Sequence, residues 1–298
     1  MTRLTSGQVA SIPENLTMRD QNLQEKTDCS LAEIGVRAAN LWLQVRGARD
    51  LKGNFISHAE KKGQREVRET MIVPITAGGG EIAGFSQAVK SIVEHMGFSA
   101  SISSSSDVEG LEKGLCQEVE AIFMADDNSF IAYNPNKNIL INNDEATASA
   151  YVEALSAMSG GLEGREVLLI GCGNVGREAA RFLLAKKAKP ICFDINRKPL
   201  ENISKLDTRI KMAMEVDKMV KGDNEGVFEK VLRKNDLIME ATPAADLITE
   251  KMMGEQTRIA AAGVPTIFTD RAARLRGEDI IHDILELGVS VMTAAVLG

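Results

Sequence analysis

The apolar positions of this chain follow two rhythms, and the first gives way to the second. Near the N-terminus they recur every three or four residues, from Leu16 to Gln24 and from Cys29 to Val45. That spacing predicts two amphipathic helices. In the second, Leu31, Ile34, Ala38, Leu41 and Trp42 share one stripe, so Trp42 reads as a core anchor rather than a ligand platform. His58–Glu69 is dominated by charge and reads as a solvated loop or helix end, whose basic residues could also meet a carboxylate. From Met71 onward short apolar runs take over. They predict a strand at Met71–Thr76, a tight glycine loop at Ala77–Gly80, a helix at Glu81–Met96 and a strand at Ser99–Ser103. A helix at Asp107–Glu118, with Asp107 near its N-cap, and a strand at Ala121–Ala125 follow. This β-α-β-α-β order implies a small parallel sheet. Tyr133–Asn143, rich in Asn and holding Pro135, reads as loop and turn. Asp144 can cap a helix at Glu145–Met158, and Ser159-Gly160-Gly161 then marks a boundary.

The second half opens on the most informative stretch. Val167–Ile170 is apolar without alternation, as in a parallel strand buried on both faces. Gly171, Gly173 and Gly176 make G-x-G-x-x-G at its end, with Cys172, Asn174 and Val175 between them. The first glycine allows a tight turn, the second a close approach of pyrophosphate, and the third close packing of the next helix. That helix keeps Val175, Ala179, Ala180, Leu183 and Leu184 on one stripe, and its N-terminal N–H groups form an anion site. A second strand, Pro190–Phe193, ends at Asp194. An acid there suits the ribose hydroxyls of NAD and repels the 2′-phosphate of NADP, although the nearby Arg197 leaves room for NADP. Further strands are predicted at Lys211–Val216, Leu237–Ala241, Thr257–Ala262 and Val289–Thr293, with a short helix at Val227–Lys234. Thr242-Pro243 and Ala262-Gly263 follow two of these strands and should border the cofactor crevice.

The expected fold class is therefore α/β: N-terminal helices and a small parallel α/β domain, then a Rossmann NAD-binding domain. The division falls into residues 1–159 for substrate and 160–298 for cofactor.

Bulk properties narrow the rest. A length of 298 residues allows two domains, each with its own core. A net charge of −7 argues against a nucleic-acid surface. No apolar run approaches the roughly 18 residues of a membrane span and no signal-peptide core opens the chain, so a cytoplasmic protein is expected. Cys29, Cys116, Cys172 and Cys192 lack C-x-x-C spacing, and His58, His95 and His282 lack H-E-x-x-H. No metal and no histidine base are expected. Nor does the sequence hold a Lys–Asp or His–Asp catalytic pair.

In a parallel sheet, ligands collect beyond the carboxyl ends of the strands. Asp126 and Asp127 stand there in the first sheet, with Thr76 and the glycine loop as the neighbouring crest. Acids suit an ammonium group, whereas loop N–H groups and a helix start at Glu81 suit a carboxylate. A zwitterionic amino-acid substrate follows. The plainer reading is that two acids after a strand are turn formers.

Several stretches make the family recognisable: Val73-Pro74-Ile75-Thr76, Gly84-Phe85-Ser86, Met124 to Phe130 (MADDNSF), Ile141-Asn142-Asn143, the glycine fingerprint and Glu240-Ala241-Thr242-Pro243. Over Met71 to the C-terminus, with a weaker echo at Leu4-Thr5, the chain resembles the 3-methylornithyl-N6-lysine dehydrogenase family of pyrrolysine biosynthesis. The resemblance implies NAD-dependent oxidation of the terminal primary amine of 3-methyl-D-ornithyl-N6-L-lysine. Ammonia is then lost and the aldehyde closes into the pyrroline ring. It also implies that Asp126 is the active-site acid, with Leu4, Thr5, Thr76, Ala77, Asp127 and Asn143 around the isopeptide substrate. Ala77 departs from a serine that the family can carry, which removes a hydroxyl. A homodimer stays open. The competing readings are a shikimate- or methylene-tetrahydrofolate-dehydrogenase-like oxidoreductase, which would want a lysine where this chain places acids, and a non-catalytic NAD-binding regulatory protein.

Overall fold

The computed structural model describes residues 5–47, 69–213 and 226–298. Leu4 and nearly all of the charged segment His58–Glu69 lie outside the described residues. The chain starts with α1 (Ser6–Ala10), α2 (Ile12–Thr27) and α3 (Leu31–Arg46). Thr5 and Ser30 open α1 and α3 with capping boxes completed by Gln8 and Glu33. Trp42 is buried in α3 and its indole N–H donates to Glu145 Oε2 at 2.8 Å, so the anchor reading holds.

A first sheet has the order β2-β1-β3-β4-β5. Its strands are β1 (Thr70–Val73), β2 (Ala100–Ile102), β3 (Ala121–Ala125), β4 (Phe130–Asn134) and β5 (Ile139–Asn142). The first three are parallel as predicted, but β4 and β5 form an antiparallel hairpin where loop was expected. Phe130, Ala132 and Asn134 alternate inward, and the buried Asn134 amide donates to the carbonyl of Val296 at 2.6 Å. The polar residues that suggested a loop occupy the hairpin turn, are satisfied in the core or open the next helix.

Two helices flank these strands. One is α4 (Phe85–His95) and the other α5 (Asp107–Cys116). The predicted start of α4 at Glu81 was four residues early. Gly84 sits at φ +88°, outside right-handed helix, and Glu81 instead folds forward so that its carboxylate accepts the Ser86 N–H at 2.6 Å. Next, α6 (Asn143–Met158) is capped by Asn142, not Asp144.

The second sheet is wholly parallel, in the order β11-β10-β9-β6-β7-β8. It contains β6 (Glu166–Ile170), β7 (Lys189–Phe193), β8 (Lys211–Met212), β9 (Leu237–Glu240), β10 (Arg258–Ala261) and β11 (Ile280–His282). The helices between them are α7 (Asn174–Ala185), α8 (Arg197–Ser204), α9 (Val227–Arg233) and α10 (Asp270–Leu275). This is the doubly wound order of dinucleotide-binding folds, with its switch point between β6 and β9.

The chain ends in α11 (Glu286–Leu297), where Val289–Thr293 had been predicted as a strand. Every residue of α11 is buried, the polar Glu286, Ser290 and Thr293 included, so no solvent-facing side marks the period that tells helix from strand. It packs on α3, α6, α4 and the β4–β5 hairpin, so the last element of the chain returns to the first sheet. The contact with α3 is close: a Cβ on Gly35 would lie 2.9 Å from the Ser290 carbonyl oxygen. Gly35→Val should therefore force the helices apart and cost about 1–3 kcal/mol. A fall of about 2–10 °C in Tm by thermal denaturation is expected.

Candidate functional site

Two crests of strand ends carry the candidate residues. On the second sheet the three fingerprint glycines have distinct surroundings. Gly171 adopts φ +91°, and a Cβ there would collide with the Ala241 carbonyl and Thr242. A Cβ on Gly176 would run into the Gly171 carbonyl, so α7 lies directly against the strand end. A Cβ on Gly173 meets nothing within 4 Å. This open face is where a pyrophosphate could approach the backbone. No side chain caps α7 and no acid stands in its first turn, so its N–H groups are available to an anion.

Asp194, at the end of β7, accepts the Cys172 N–H at 2.8 Å with one carboxylate oxygen and the Asn196 N–H at 2.7 Å with the other. It thus ties the glycine turn to β7 while keeping lone pairs for a ribose diol. Arg197, which had kept NADP open, is exposed and pairs with Glu201 at 3.0 Å. Asn174 and Val175 open α7, while Cys172 is buried in the turn.

Across the switch point, Thr242-Pro243 and Ala262-Gly263 are joined by the acid of the Glu240-Ala241-Thr242-Pro243 stretch, whose role is not legible in the sequence. Glu240, the last residue of β9, is fully buried. Its Oε1 accepts the Thr242 N–H and hydroxyl, each at 2.5 Å, and its Oε2 accepts the Gly263 N–H at 3.2 Å. Burial raises its pKa to about 7 against the pull of these hydrogen bonds. The available signal was an acid closing an otherwise apolar strand, Leu-Ile-Met-Glu.

The crest of the first sheet is organised by three carboxylates. Asp107 stands at φ +55°, and its Oδ1 accepts the N–H groups of Thr76 at 2.9 Å and Ala77 at 3.2 Å. Its Oδ2 accepts the Thr76 hydroxyl. The hydroxyl bond and then the Thr76 N–H hold the Asp107 carboxyl at about 2. Asp127 accepts the Gly79 N–H at 2.8 Å. The N–H groups of Thr76, Ala77 and Gly79 are therefore already taken by the protein's own acids, which leaves fewer loop donors for a substrate carboxylate than the sequence suggests. The Thr76 hydroxyl is likewise committed. Asp107 was predicted only near a helix N-cap; its left-handed conformation, tolerated by Asp better than by most residues, was not legible.

Asp126 uses Oδ1 to accept the N–H groups of Asn128 at 2.8 Å and Ser129 at 2.7 Å, closing the turn between β3 and β4. Its Oδ2 makes no hydrogen bond among the described residues. Because β3 and β5 run in the same direction, Asn143 at the start of α6 lies on the same sheet edge as Asp126. It also lies against α11: a Cβ on Gly288 would be 2.9 Å from its Oδ1. Thr5 caps α1 and is exposed, and Gly84, which opens the loop onto α4, is packed near Ala10 of that helix.

The fold also makes a His–Asp pair that the sequence did not suggest, with His95 Nε2 at 2.7 Å from Asp20. It joins α2 to the end of α4 away from the crest. A cavity of about 290 Å³ lies between α2 and the β11–α11 turn. Its charged groups are satisfied internally: Arg19 with Glu286 at 2.6 Å, Asp20 with His95, and Lys26 with the Ile280 carbonyl at 2.9 Å.

The glycine geometry separates binding from folding. Gly173→Val should keep the circular dichroism spectrum and lose at least about tenfold in NAD affinity, a cost of about 1.4 kcal/mol or more. Gly176→Val should instead lower Tm, because its side chain enters the Gly171 turn. Titration with NAD and thermal denaturation of both variants check this; unaltered affinity in Gly173→Val would remove the loop from cofactor binding.

Comparison with known proteins agrees with both halves of the chain. Residues 8–141 match the family described as pyrrolysine biosynthesis protein PylD, N-terminal domain, and residues 153–273 match shikimate / quinate 5-dehydrogenase. The chain is 29% identical over 227 residues to pyrrolysine synthase of Methanosarcina acetivorans, covering 76% of this chain and 81% of that protein. It is 27% identical over 289 residues to pyrrolysine synthase of Methanosarcina barkeri, covering 96% and 97%. Among solved structures it is similar to quinate dehydrogenase from Corynebacterium glutamicum in complex with NAD, with a TM-score of 0.49 and 10% identity over 76% of this chain and 91% of that one. The N-terminal half of the chain is thus similar to the N-terminal domain of the pyrrolysine biosynthesis protein PylD, its C-terminal half to shikimate / quinate 5-dehydrogenases, and most of its length to pyrrolysine synthases.

Proposed function

We propose that this chain is an NAD-dependent dehydrogenase that oxidises the terminal primary amine of 3-methyl-D-ornithyl-N6-L-lysine in the last step of pyrrolysine formation. The observation that carries the reading is Asp126. Its Oδ1 is tied into a turn at a strand end, its Oδ2 has no partner among the described residues, and the same chain holds a dinucleotide crest on its second sheet. In this reading Gly171 to Gly176 and the start of α7 hold the pyrophosphate, and Asp194 holds the adenosine ribose. Thr242, Pro243, Ala262 and Gly263 border the nicotinamide half. When bound, the cofactor supplies the hydride acceptor.

Asp126 supplies the other half of the chemistry. A primary ammonium has a reference pKa of about 10.4 and must lose a proton before hydride can leave its carbon. The Asp126 Oδ2 can hold the ammonium and take that proton, directly or through water. Asp127, Asn143 and Thr5 are the further candidates for substrate contact. Asp107 keeps the Thr76–Ala77 loop in shape and leaves the ammonium to Asp126. The imine is then hydrolysed with loss of ammonia, and the aldehyde closes on the nearby α-amine.

Incubation with NAD and the methylated isopeptide, followed by mass spectrometry, tests the reaction: loss of ammonia with ring closure is expected, and unchanged isopeptide with no NADH would reject it. Asp126→Asn keeps the acceptor for the Asn128 and Ser129 N–H groups but removes the charge, so the turn should survive. A drop in kcat/KM of about 10²–10⁴-fold is expected, with unchanged NAD affinity; near-parent turnover would remove Asp126 from this role. NAD should also bind better than NADP. Asp194→Ala loses charge-assisted bonds worth about 1.5–3 kcal/mol, or roughly 10- to 150-fold in NAD affinity. Because Asp194 also braces the Cys172 turn, a small fall in Tm should accompany that loss. Equal affinity of the parent protein for the two cofactors would overturn the assignment of Asp194.

A further inference from the structure

We infer that Glu240 clamps the two loops bordering the nicotinamide half of the cofactor and that its buried charge makes the site prefer the oxidised, cationic ring to the reduced, neutral one. The inference rests on the dinucleotide reading above but not on the identity of the amine substrate.

The geometry supports a clamp. One carboxylate, closing β9, reaches the loop after its own strand through Thr242 and the loop after β10 through Gly263. The approach leaves no slack, since a Cβ on Gly263 would sit 2.8 Å from both Glu240 oxygens. In the doubly wound order, β9 and β10 belong to the half beyond the switch point, where the second mononucleotide binds. Replacing either loop's N–H contact would uncouple loops that must present one surface to that ring.

The charge matters because it is solvated by dipoles alone. The groups that stabilise the ionised form are the Thr242 hydroxyl and N–H and the Gly263 N–H; no cationic side chain is among them. On the elements packed against β9, the titratable side chain that senses Glu240 is Tyr151 of α6, which burial keeps neutral. Beyond it, His282 donates from Nδ1 to the Ala261 carbonyl and is held neutral by burial, and Arg19 is neutralised by Glu286. Asp283 is also pushed up by burial, so its titration must be told apart from that of Glu240. A cationic ring brought to this half supplies the missing counter-charge, whereas the reduced ring does not.

Linkage gives the direction. The oxidised cofactor favours ionised Glu240, so its affinity should rise with pH through about 7, by about five- to tenfold between pH 6 and 8. Affinity for the reduced form should stay nearly flat. Isothermal titration of the unmodified protein with NAD⁺ and NADH at pH 6, 7 and 8 reads this directly. In Glu240→Gln, where the amide also sets an N–H against a backbone donor, both forms should bind more weakly and the ratio should lose its pH dependence. If that variant does not fold, Thr242→Val serves: removing the hydroxyl donor should move the midpoint of the NAD⁺ profile to higher pH.

Without cofactor a second readout is available. The carboxyl is raised from 4.5 to about 7 in the fold, so its contribution to stability is present below about pH 4.5 and lost as pH rises through 7. The Tm of the unliganded parent relative to Glu240→Gln should fall over that window. A parent affinity ratio independent of pH, or a pH-dependent ratio retained in Glu240→Gln, overturns the inference and leaves the amine reading intact. Failure of both cofactor forms to bind overturns the dinucleotide reading itself, and the inference with it.

Discussion

The close approach of α3 to α11 is the contact on which the rest of the structure depends. Gly35 has no side chain, so the backbone of α3 can lie against the Ser290 carbonyl of a helix buried on every side. That helix belongs by position to the second half of the chain, yet it fills the space between α3, α6 and the β4–β5 hairpin. A helix this rich in apolar side chains must be enclosed, because exposing it would return that apolar surface to water at about 25 cal/mol per Å². The enclosure couples the two sheets. Through α6, which starts at the first crest with Asn143 and leads to β6, the same packing sets where one strand-end crest lies relative to the other.

Both crests are built by carboxylates that accept backbone N–H groups. Asp194 holds the glycine turn, Glu240 holds the loops after β9 and β10, and Asp107 and Asp127 hold the loop after β1. Such charge-assisted bonds to backbone donors are stronger than neutral ones, and they fix irregular backbone that has no ladder of its own. The consequence for chemistry is selective. Where the acids take loop N–H groups, those donors are lost to a ligand; where a carboxylate oxygen has no partner among the described residues, as at Asp126, a cationic group can still be met.

No helix among the described residues is long and apolar enough to cross a membrane. The described cysteines are free, and Cys29, Cys172 and Cys192 are buried. The apolar interior runs continuously from the N-terminal helices through both sheets.

Much of the dinucleotide half was legible in sequence because its constraints are local. Strand, three glycines, amphipathic helix, second strand and Asp194 follow one another within a single β-α-β unit, and each residue type answers a demand made by its immediate neighbours. The predicted β3 span, Ala121–Ala125, was matched for the same reason. What the sequence could not determine depended on partners far along the chain. Val289–Thr293 carries a β-branched apolar pattern, and only burial on all sides made it helix. Tyr133–Asn143 looked polar, and only the Val296 carbonyl, reached from the buried Asn134, showed why part of it forms a strand. Asp107 lies 31 positions from the Thr76 N–H that it accepts, and Glu240 lies 23 from that of Gly263. A hydrogen bond between distant positions leaves no period in the sequence, so those acids acquired their roles only when the tertiary structure brought the loops to them.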